Sequence, residues 1–354
     1  MLLSGVLFFV KMQNIKDLTL KEFEEYLLSV GEKPFHAKQI ISWIYSRGIT
    51  SFDEMTDISK GLREKVKKEF YISIPEIAAV EVSPDGTKKI LLRLYDGNCI
   101  ECVLMPEEKR LTLCISTQVG CSLDCRFCLT GKMGFVRNLK VSEMTDQVFA
   151  CKSSLPDNQK ITNVVLMGMG EPLLNYNEII KLLNILIEPK GFAFASRRVT
   201  VSTAGIIPVM EKLGKEIKTN LAVSLNAAED PVRSYLMPVN KKYPLRELLD
   251  ACRRYPMQRN RRITIEYVLI KGINDSQDDA KRLTELLKDV PCKINLIPFN
   301  PFPGSCFERP EDSTVLKFQE ILLNSGYTAF IRQSKGRDIS AACGQLKGKI
   351  HPAS

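Results

Sequence analysis

Histidine is nearly absent from this chain, which contains two histidines among 354 residues. His36 lies in an N-terminal stretch with a helical pattern, and His351 lies in the C-terminal tail. Neither is placed to act as the central base or nucleophile partner of a histidine-dependent active site. Acid–base chemistry in this protein must therefore use carboxylates or water.

The sequence also lacks a convincing export signal or membrane span. Residues 1–10 are mostly apolar, but no basic segment precedes them and no small-residue cleavage site follows. The run is also too short to cross a membrane. We therefore expect a cytoplasmic protein without membrane association, and we prefer Met12 to Met1 as the start of translation.

Acidic residues are fewer than basic ones: 41 Asp and Glu stand against 50 Lys and Arg, which gives a net charge of +9. The basic residues concentrate at 63–68, 197–198, 241–242 and 253–262. Each group alone is typical of a solvated helix face. Together they favour a polyanionic partner, and RNA is the partner we expect.

Cysteine is abundant, but one set of cysteines is incomplete. Cys121, Cys125 and Cys128 lie within eight residues, without a fourth cysteine close by. Three thiolates bind a 4Fe–4S cluster with one iron open to a small ligand. A disulfide framework is disfavoured, because the total of 11 cysteines is odd and no export signal is evident.

Structural zinc is the alternative for the same three cysteines. It needs a closed set of four ligands, usually in spaced pairs, and no second close pair follows Cys128. Cys99 and Cys102 form another short pair, but they lie in a predicted strand, where small apolar packing is the usual role. Zinc is therefore the weaker alternative.

The chain divides into stretches of different pattern. Residues 1–75 are predominantly helical, with a capping box at Thr19 and Glu22. Residues 76–108 predict a β-hairpin connector, because Asp-Gly pairs at 85–86 and 96–97 are hairpin turn signals. Residues 109–346 form the core, and residues 347–354 are a C-terminal tail.

The core alternates short apolar runs with amphipathic helical patterns. The runs are residues 111–116, 161–167, 199–202, 221–225, 263–270, 294–298 and a last one at 328–332. Such alternation predicts parallel strands joined by right-handed helical crossovers. We expect an α/β fold in which about six units form a partial (β/α)6 barrel.

Polar residues and glycines lie at or after the ends of these runs, where an α/β sheet carries its chemistry. The groups are the cysteine triplet, residues 168–172, Ser202 with Thr203, Ser224 to Asn226, and residues 299–301. Each is weak alone: the Gly-x-Gly-Glu at 168–171 lacks the third glycine of a dinucleotide fingerprint and usually marks only a turn. Five groups at one rim predict a pocket.

These motifs carry a family resemblance. The triplet, with Phe127 before its last cysteine, is similar to the cluster loop of the radical S-adenosylmethionine superfamily. Residues 168–172 resemble the segment of that superfamily that receives the cofactor's amino group. Four segments (116–121, 167–172, 298–303 and 341–346) together resemble RlmN, the bacterial family of dual-specificity RNA methyltransferases, and the helical N-terminal stretch resembles its accessory RNA-binding domain.

The resemblance implies methylation of carbon 2 of an adenine in 23S rRNA, at the peptidyl-transferase centre, and of an adenine beside some tRNA anticodons. This carbon is electron-poor and cannot attack a sulfonium methyl group as a nucleophile, so a radical route is needed. The implied cofactors are one 4Fe–4S cluster, bound by Cys121, Cys125 and Cys128, and two S-adenosylmethionine molecules per turnover.

The resemblance also implies roles for three further residues. One S-adenosylmethionine methylates Cys343, and a second yields a 5′-deoxyadenosyl radical that takes hydrogen from the S-methyl group. The methylene radical adds to carbon 2, and Cys114 then attacks Cys343 to form a disulfide and release the product. Glu101 matches a carboxylate for proton transfer. From the residues alone, a buried inert thiol is the default interpretation of Cys114, and Glu101 could be a surface carboxylate.

The remaining expectations concern cofactor contacts and partners. Positions that match cofactor contacts in the family are Gly170, Glu171, Ser202, Ser224, Leu225, Asn226 and Asn300. The family more often has His where this chain has Asn226. We expect a monomer that is reduced by a protein such as flavodoxin or ferredoxin. The alternatives are the sister family that methylates carbon 8 of the same rRNA adenine, and a non-catalytic zinc-containing RNA-binding protein.

Overall fold

The structure is a computed structural model that describes residues 12–346 and residue 348. The apolar run at 1–10 and all of the tail at 347–354 except residue 348 lie outside the described residues. Within the described part, no helix has the length and apolar character needed to cross a membrane.

Three helices and a short parallel strand pair form the N-terminal module. Its elements are β1 (Gln13–Asn14), α1 (Leu20–Ser29), α2 (Phe35–Ile41), a π-helical turn (Ser42–Arg47), α3 (Lys60–Glu69) and β2 (Phe70–Tyr71). The predicted capping box begins α1, because the side chains of Thr19 and Glu22 each accept from the other's backbone N–H. Phe23 and Leu27 are fully buried and anchor α1 in the core.

Three antiparallel strands follow, and they continue into the core sheet. They are β3 (Glu76–Val82), β4 (Lys88–Arg93) and β5 (Cys99–Glu107), and β5 pairs antiparallel with β6 (Arg110–Cys114). The predicted turn glycines Gly86 and Gly97 have φ of +82° and +81°, as tight hairpins require. The register sets Val103 of β5 opposite Cys114.

A small hairpin and a helical turn surround the cysteine triplet. Strands β7 (Gln118–Gly120) and β8 (Phe135–Asn138) pair antiparallel, and α4 (Leu129–Lys132) lies between them in sequence. The triplet therefore occupies a loop that is closed at its base by a strand pair.

Six further strands complete a parallel sheet that starts from β6. They are β9 (Asn163–Leu166), β10 (Val199–Thr203), β11 (Asn220–Ser224), β12 (Ile263–Leu269), β13 (Cys292–Pro298) and β14 (Ala329–Ile331). Each is parallel to its neighbour, and each apolar run predicted from residue 111 onward overlaps one strand. With β3 to β5 the sheet has ten strands. The predicted α/β fold is confirmed.

Helices connect the parallel strands. They are α5 (Val141–Ser153), α6 (Tyr176–Ile187), α7 (Ile207–Glu216), α8 (Asp230–Leu236), α9 (Leu245–Arg254), α10 (Gln277–Leu286) and α11 (Asp312–Asn324). In α6, Ile179, Leu183 and Leu186 are fully buried, as their spacing predicts. Short 3₁₀ turns lie at Ile15–Asp17, Phe52–Glu54, Pro172–Asn175, Ser196–Arg198 and Pro238–Lys241.

The N-terminal module packs against α5 and the segment after α6. The ring of Tyr45 lies 6.0 Å from that of Phe149 on α5 and 5.0 Å from that of Phe192. Lys16 forms a buried ion pair with Asp146 of α5. The module and the sheet thus share one continuous apolar core.

Candidate active site at the carboxyl ends of the strands

A pocket of about 950 Å³ opens at the carboxyl ends of the parallel strands. Its walls come from the loops after successive strands, as an α/β sheet predicts. Most of the sequence-predicted site residues line it, namely Cys121, Cys125, Cys128, Gly170, Glu171, Ser202, Ser224, Asn226, Asn300 and Cys343. We call it the first pocket.

The cysteine loop is shaped by close backbone contacts. Gly120 has φ of +76°, and a Cβ at this position would lie 1.9 Å from the carbonyl oxygen of Gly134. The N–H of Cys121 donates to that same oxygen at 2.9 Å. The N–H of Leu129 donates to the carbonyl of Gly344 at 2.7 Å, which ties the loop to the segment that carries Cys343.

The three thiols of this loop suit a cluster bound by three thiolates. All three line the first pocket, so a fourth metal position would face its cavity. Burial raises the pKa of Cys121 to about 12 and also raises the pKa values of Cys125 and Cys128. Metal binding would have to release their protons. Within the described residues, no three His, Cys, Asp or Glu side chains converge as a single ion needs.

The glycines of the 168–172 segment permit two loops to touch. A Cβ on Gly168 would lie 2.7 Å from the carbonyl atoms of Ile115. Gly170 has φ of +101°, and a Cβ there would lie 2.6 Å from Cβ of Gln118. The loops after β6 and β9 therefore meet at a distance that only glycine allows.

Glu171 is a buried carboxylate in the wall between β9 and β10. Its side chain accepts from the N–H groups of Leu173, at 3.1 Å, and Ala204, at 2.8 Å. Burial nevertheless raises the pKa of Glu171 to about 7. This carboxyl group changes charge near neutral pH.

Asn226 and Asn300 have different environments in the first pocket. Asn226 has φ of +60°, and its Oδ1 accepts from the N–H of Val268 at 2.7 Å. Its side chain thus supports the strand ends at a position where the family more often has His. Asn300 donates to the carbonyl of Cys343 at 3.4 Å, and its buried Oδ1 has no hydrogen-bond partner among the described residues.

Leu225 is the predicted cofactor residue that does not line the pocket. Its side chain is fully buried in the core, and its carbonyl accepts from Nε of Arg233 at 3.0 Å. The alternation of a strand explains this, since Ser224 and Asn226 face the cavity and the residue between them faces away.

A second pocket of about 600 Å³ adjoins the first. Cys114 lines the second pocket, and Cys343 lines both. Other residues common to both are Cys128, Met167, Gly168, Ile297, Asn300, Arg332 and Gly344. The two thiols from opposite ends of the core sequence therefore face one cavity.

Cys114 is the last residue of β6, and its side chain is 6% exposed. Burial raises the pKa of this thiol to about 12. Four other cysteines are as buried as Cys114 or more so, but they line neither pocket: Cys102, Cys151, Cys252 and Cys292. Access to a cavity, rather than burial, distinguishes Cys114 from them.

Glu101 lies beside the second pocket and does not line it. It is on the same face of β5 as Val103 and Met105, which do line that pocket. Glu101 is 1% exposed and lies 3.5 Å from Nζ of Lys89, which also donates to the carbonyl of Ile339 at 2.6 Å. The interpretation as a surface carboxylate is wrong, because the C-terminal segment covers this strand.

Two charged residues of the first pocket were missed by sequence reasoning. Glu266 on β12 is buried, and it accepts a hydrogen bond from Asn295 at 2.7 Å. Arg332 directly follows β14 and lines both pockets. Arg332 closes the last apolar run of the sequence, so the rule that chemistry lies at the carboxyl ends of strands would have found it.

In two of the predicted basic groups, some residues form ion pairs with carboxylates. In α3, Lys65 pairs with Glu32 and Lys67 pairs with Asp53. Arg254 pairs with Glu211 at 2.7 Å. These basic residues are therefore already paired with carboxylates at the surface. Such ion pairs are weak, so a polyanion can compete for the basic residues.

Comparison with known proteins supports the class that the fold and site indicate. Residues 115–284 match the radical S-adenosylmethionine superfamily, and residues 13–72 match the N-terminal domain of ribosomal RNA large subunit methyltransferases. A parallel partial barrel with a three-cysteine loop after its first strand is the architecture of a radical S-adenosylmethionine enzyme. This superfamily uses a 4Fe–4S cluster and S-adenosylmethionine.

Close relatives specify the family. The dual-specificity RNA methyltransferase RlmN of Syntrophus aciditrophicus is 52% identical over 95% of this chain and 97% of its own length. The RlmN protein of Geobacter sulfurreducens is 51% identical over 96% and 93%. A radical SAM methyltransferase from Sphaerobacter thermophilus has a crystal structure that matches with a TM-score of 0.89 and 43% identity, over 95% and 100%. The chain belongs to the RlmN family of dual-specificity RNA methyltransferases.

Proposed function

We propose that the protein methylates carbon 2 of adenine 2503 in 23S rRNA and of adenine 37 in some tRNAs. The observation that carries this proposal is the placement of Cys114 and Cys343 on one cavity, next to the pocket of the cysteine loop. A methyltransferase that used only polar transfer would need neither thiol. Two thiols that line one cavity can form and then release a covalent link to RNA.

The first pocket is the proposed site of the cofactors. Cys121, Cys125 and Cys128 would hold one 4Fe–4S cluster, and one S-adenosylmethionine would bind beside it. When bound, the cluster supplies the electron that cleaves S-adenosylmethionine. Glu171 and the backbone at Gly170 would receive the amino group of S-adenosylmethionine.

The other polar residues of the first pocket would orient S-adenosylmethionine. Ser202 and Ser224 offer hydroxyl groups at the ends of β10 and β11, and both are half-buried. Asn300 offers an unpartnered Oδ1 and also contacts the carbonyl of Cys343. Asn226 would contribute through the backbone conformation that it stabilises, and Leu225 through packing beneath the pocket.

Cys343 is the proposed carrier of the methyl group. It is half-buried and lines both pockets, so it can react in the first and contact RNA in the second. Cys114 would then attack its sulfur and release the methylated adenine. Glu101 would take the proton from carbon 2, and Nζ of Lys89 lies 3.5 Å from its carboxylate.

RNA would reach the second pocket with the adenine unstacked, and phosphate contacts would offset that cost. Tyr95 is 75% exposed, and Arg137 and Lys140 each lie 5.0 Å from its ring centroid. An exposed ring beside cations is typical of surfaces that stack single-stranded bases. We also propose that the N-terminal module at residues 1–75 contributes to RNA binding and that the enzyme acts as a monomer with a flavodoxin or ferredoxin as reductant.

Replacement of Cys114 tests this function. We expect a Cys114→Ala enzyme with RNA, S-adenosylmethionine and reductant, without oxygen, to accumulate protein covalently attached to RNA, because Cys343 can no longer be released. Denaturing gel shift and mass spectrometry of the Cys343 peptide measure the adduct. Cys252→Ala is the control, since Cys252 is buried and lines neither pocket. Absence of the adduct in an enzyme with intact cluster would refute the role of Cys114.

Two measurements separate the alternatives. Nucleoside mass spectrometry of the product distinguishes 2-methyladenosine from the 8-methyladenosine of the sister family. Metal analysis of protein purified without oxygen should give roughly four irons per chain and a brown colour. A colourless protein that contains zinc would support the non-catalytic alternative, which the family assignment disfavours.

A further inference from the structure

Arg332 is a charged side chain with no role in the steps assigned to the cysteines and Glu101. Its backbone N–H donates to the carbonyl of Leu296 on β13 at 2.8 Å. This bond holds Arg332 at the carboxyl end of the sheet, where its side chain lines both pockets. Arg332 is therefore part of the wall that the two cavities share.

The guanidinium of Arg332 has poor hydrogen-bond acceptors. It donates to the thioether sulfurs of Met167, at 3.9 Å, and Met105, at 3.7 Å. Among the described residues, no carboxylate lies within 4.0 Å of it. Thioether sulfur is a weak acceptor, and a guanidinium carries five N–H donors. Its charge acts on groups that line the cavities, since Cys343, Glu266 on β12 and Cys114 all favour its charged form.

Both cavity thiols interact with this charge. Burial raises the pKa of Cys114 to about 12, Cys343 adds to that rise, and Arg332 opposes it. In turn Cys343 is the main cause of a raised pKa of Arg332, against the effect of burial. A cation beside a buried thiol favours the thiolate, which is the form that attacks sulfur.

We infer that Arg332 is the positioning residue that makes Cys114 a competent thiolate for attack on Cys343, an inference that rests on the proposed function. In this step the Cys114 sulfur bonds to the Cys343 sulfur, and the bond from Cys343 to the nucleotide's methylene carbon breaks. The electron pair of that bond stays on carbon, which takes a proton from water and leaves as a methyl group. The two sulfurs are oxidised to a disulfide, and the carbon is reduced by two electrons.

Other titratable groups also face Cys114. Cys102, on the adjacent strand β5, and Cys343, in the C-terminal segment, both disfavour its thiolate. Cys128 and Lys335 line the same pocket. Arg332 is the cation among them that acts on the Cys114 thiol.

The test is the pH dependence of adduct resolution in the reconstituted full-length enzyme. Wild type, Arg332→Met and Arg332→Lys are supplied with RNA, S-adenosylmethionine and reductant, and adduct and methylated product are followed over time. We expect Arg332→Met to form the adduct but to resolve it roughly tenfold more slowly at neutral pH, as a rise of one pKa unit implies. Its rate should rise with pH but stay below that of wild type at each pH, and Arg332→Lys should resemble wild type.

Arg337→Met is the matched control, because Arg337 is exposed and lines neither pocket. It should keep the wild-type pH profile. If Arg332→Met does not fold, Arg332→Gln removes the charge with a polar side chain and is measured in the same way.

Three outcomes decide between the possibilities. Wild-type resolution rates at every pH in the variants without charge overturn the inference. So does a variant that forms no adduct while wild type makes product, because Arg332 would then act before resolution. If wild type forms neither adduct nor product, the proposed function fails instead.

Discussion

Two opposing effects act on the pKa of the Glu171 carboxyl group. It accepts hydrogen bonds from two backbone N–H groups, which favour its charged form, yet its burial raises its pKa to about 7. Without a bound cation, this carboxyl stabilises the fold most below its unfolded pKa of 4.5, and the contribution is lost as pH rises through 7. A bound ammonium group would reverse the preference, because it favours the carboxylate.

The affinity for S-adenosylmethionine should therefore depend on pH. Below the pKa of Glu171 the carboxyl is neutral and loses its attraction for the ammonium group, so we expect roughly fivefold weaker binding at about pH 6 than at about pH 7.5. Isothermal titration of the reconstituted enzyme measures the dissociation constants. Glu171→Gln should bind more weakly and without this pH dependence. A variant with the wild-type pH dependence would show that another group is responsible.

Arg233 on α8 connects the ends of two strands that form the first pocket. It is fully buried, and it donates to the carbonyls of Ala204, at 2.8 Å, Ser224, at 3.1 Å, and Leu225, at 3.0 Å. It also donates to Oδ1 of Asn240 at 2.8 Å. Burial lowers the pKa of Arg233 to about 10, so it stays charged at neutral pH. One side chain thus fixes β11 and the turn after β10.

Loss of Arg233 should destabilise this part of the sheet. Arg233→Met leaves these four acceptors without their donor, and we expect a loss of roughly 3–5 kcal/mol in the free energy of unfolding. Urea denaturation measures the change, and binding of S-adenosylmethionine should weaken as well. Arg254→Met is the control, since Arg254 is exposed and pairs with Glu211 at the surface. Equal stability of the two variants would contradict the structural role of Arg233.

The docking of the N-terminal module depends on a buried charge pair. Lys16 is 2% exposed, pairs with Asp146 of α5, and also donates to the carbonyl of Ser73 at 2.6 Å. The hydroxyl of Ser73 donates to Asp146 at 2.7 Å. Two segments of the module therefore meet one carboxylate of the barrel.

Removal of Lys16 should loosen the module. Lys16→Met leaves Asp146 buried without its cation, which costs roughly 3–5 kcal/mol. We expect a lower melting temperature and faster hydrogen exchange in α1 and α5, measured by mass spectrometry. Lys21→Met should change little, because Lys21 is exposed and lies 3.9 Å from Glu25. If both variants behave alike, the docking does not depend on this pair.

Much of the fold follows from local pattern. Apolar runs of strand length between amphipathic helices predict a parallel sheet with helical crossovers. The strands β6 and β9 to β14 confirm this prediction. The boundary at residues 76–108 depends on more than local pattern. Its hairpins have the predicted turns, but nothing local indicates that β5 pairs with β6 and extends the sheet.

The residues of the candidate site were predictable from the sequence where they lie at the carboxyl ends of strands. Six predicted residues lie at or after such ends, and all line one pocket: Cys121, Cys125, Cys128, Glu171, Ser202 and Asn300. Glu101 lies beside the second pocket without lining it, and Leu225 faces the core instead of the first pocket. Both facts depend on strand register and on the path of the C-terminal segment. A sequence pattern describes neighbours along the chain, whereas these properties depend on neighbours in space.

The sequence therefore determines the class of fold, the three-cysteine loop and the family, because each depends on residue types at short spacing. The tertiary structure decides which distant groups meet. It brings Cys114 from the first parallel strand and Cys343 from the C-terminal segment to one cavity, and it adds Arg332 from the last strand to the same wall. Strands β6 and β14 lie at opposite ends of the parallel part of the sheet, so the sheet must curve to bring these groups to one cavity. The charge and burial that result set the reactivity of the thiols.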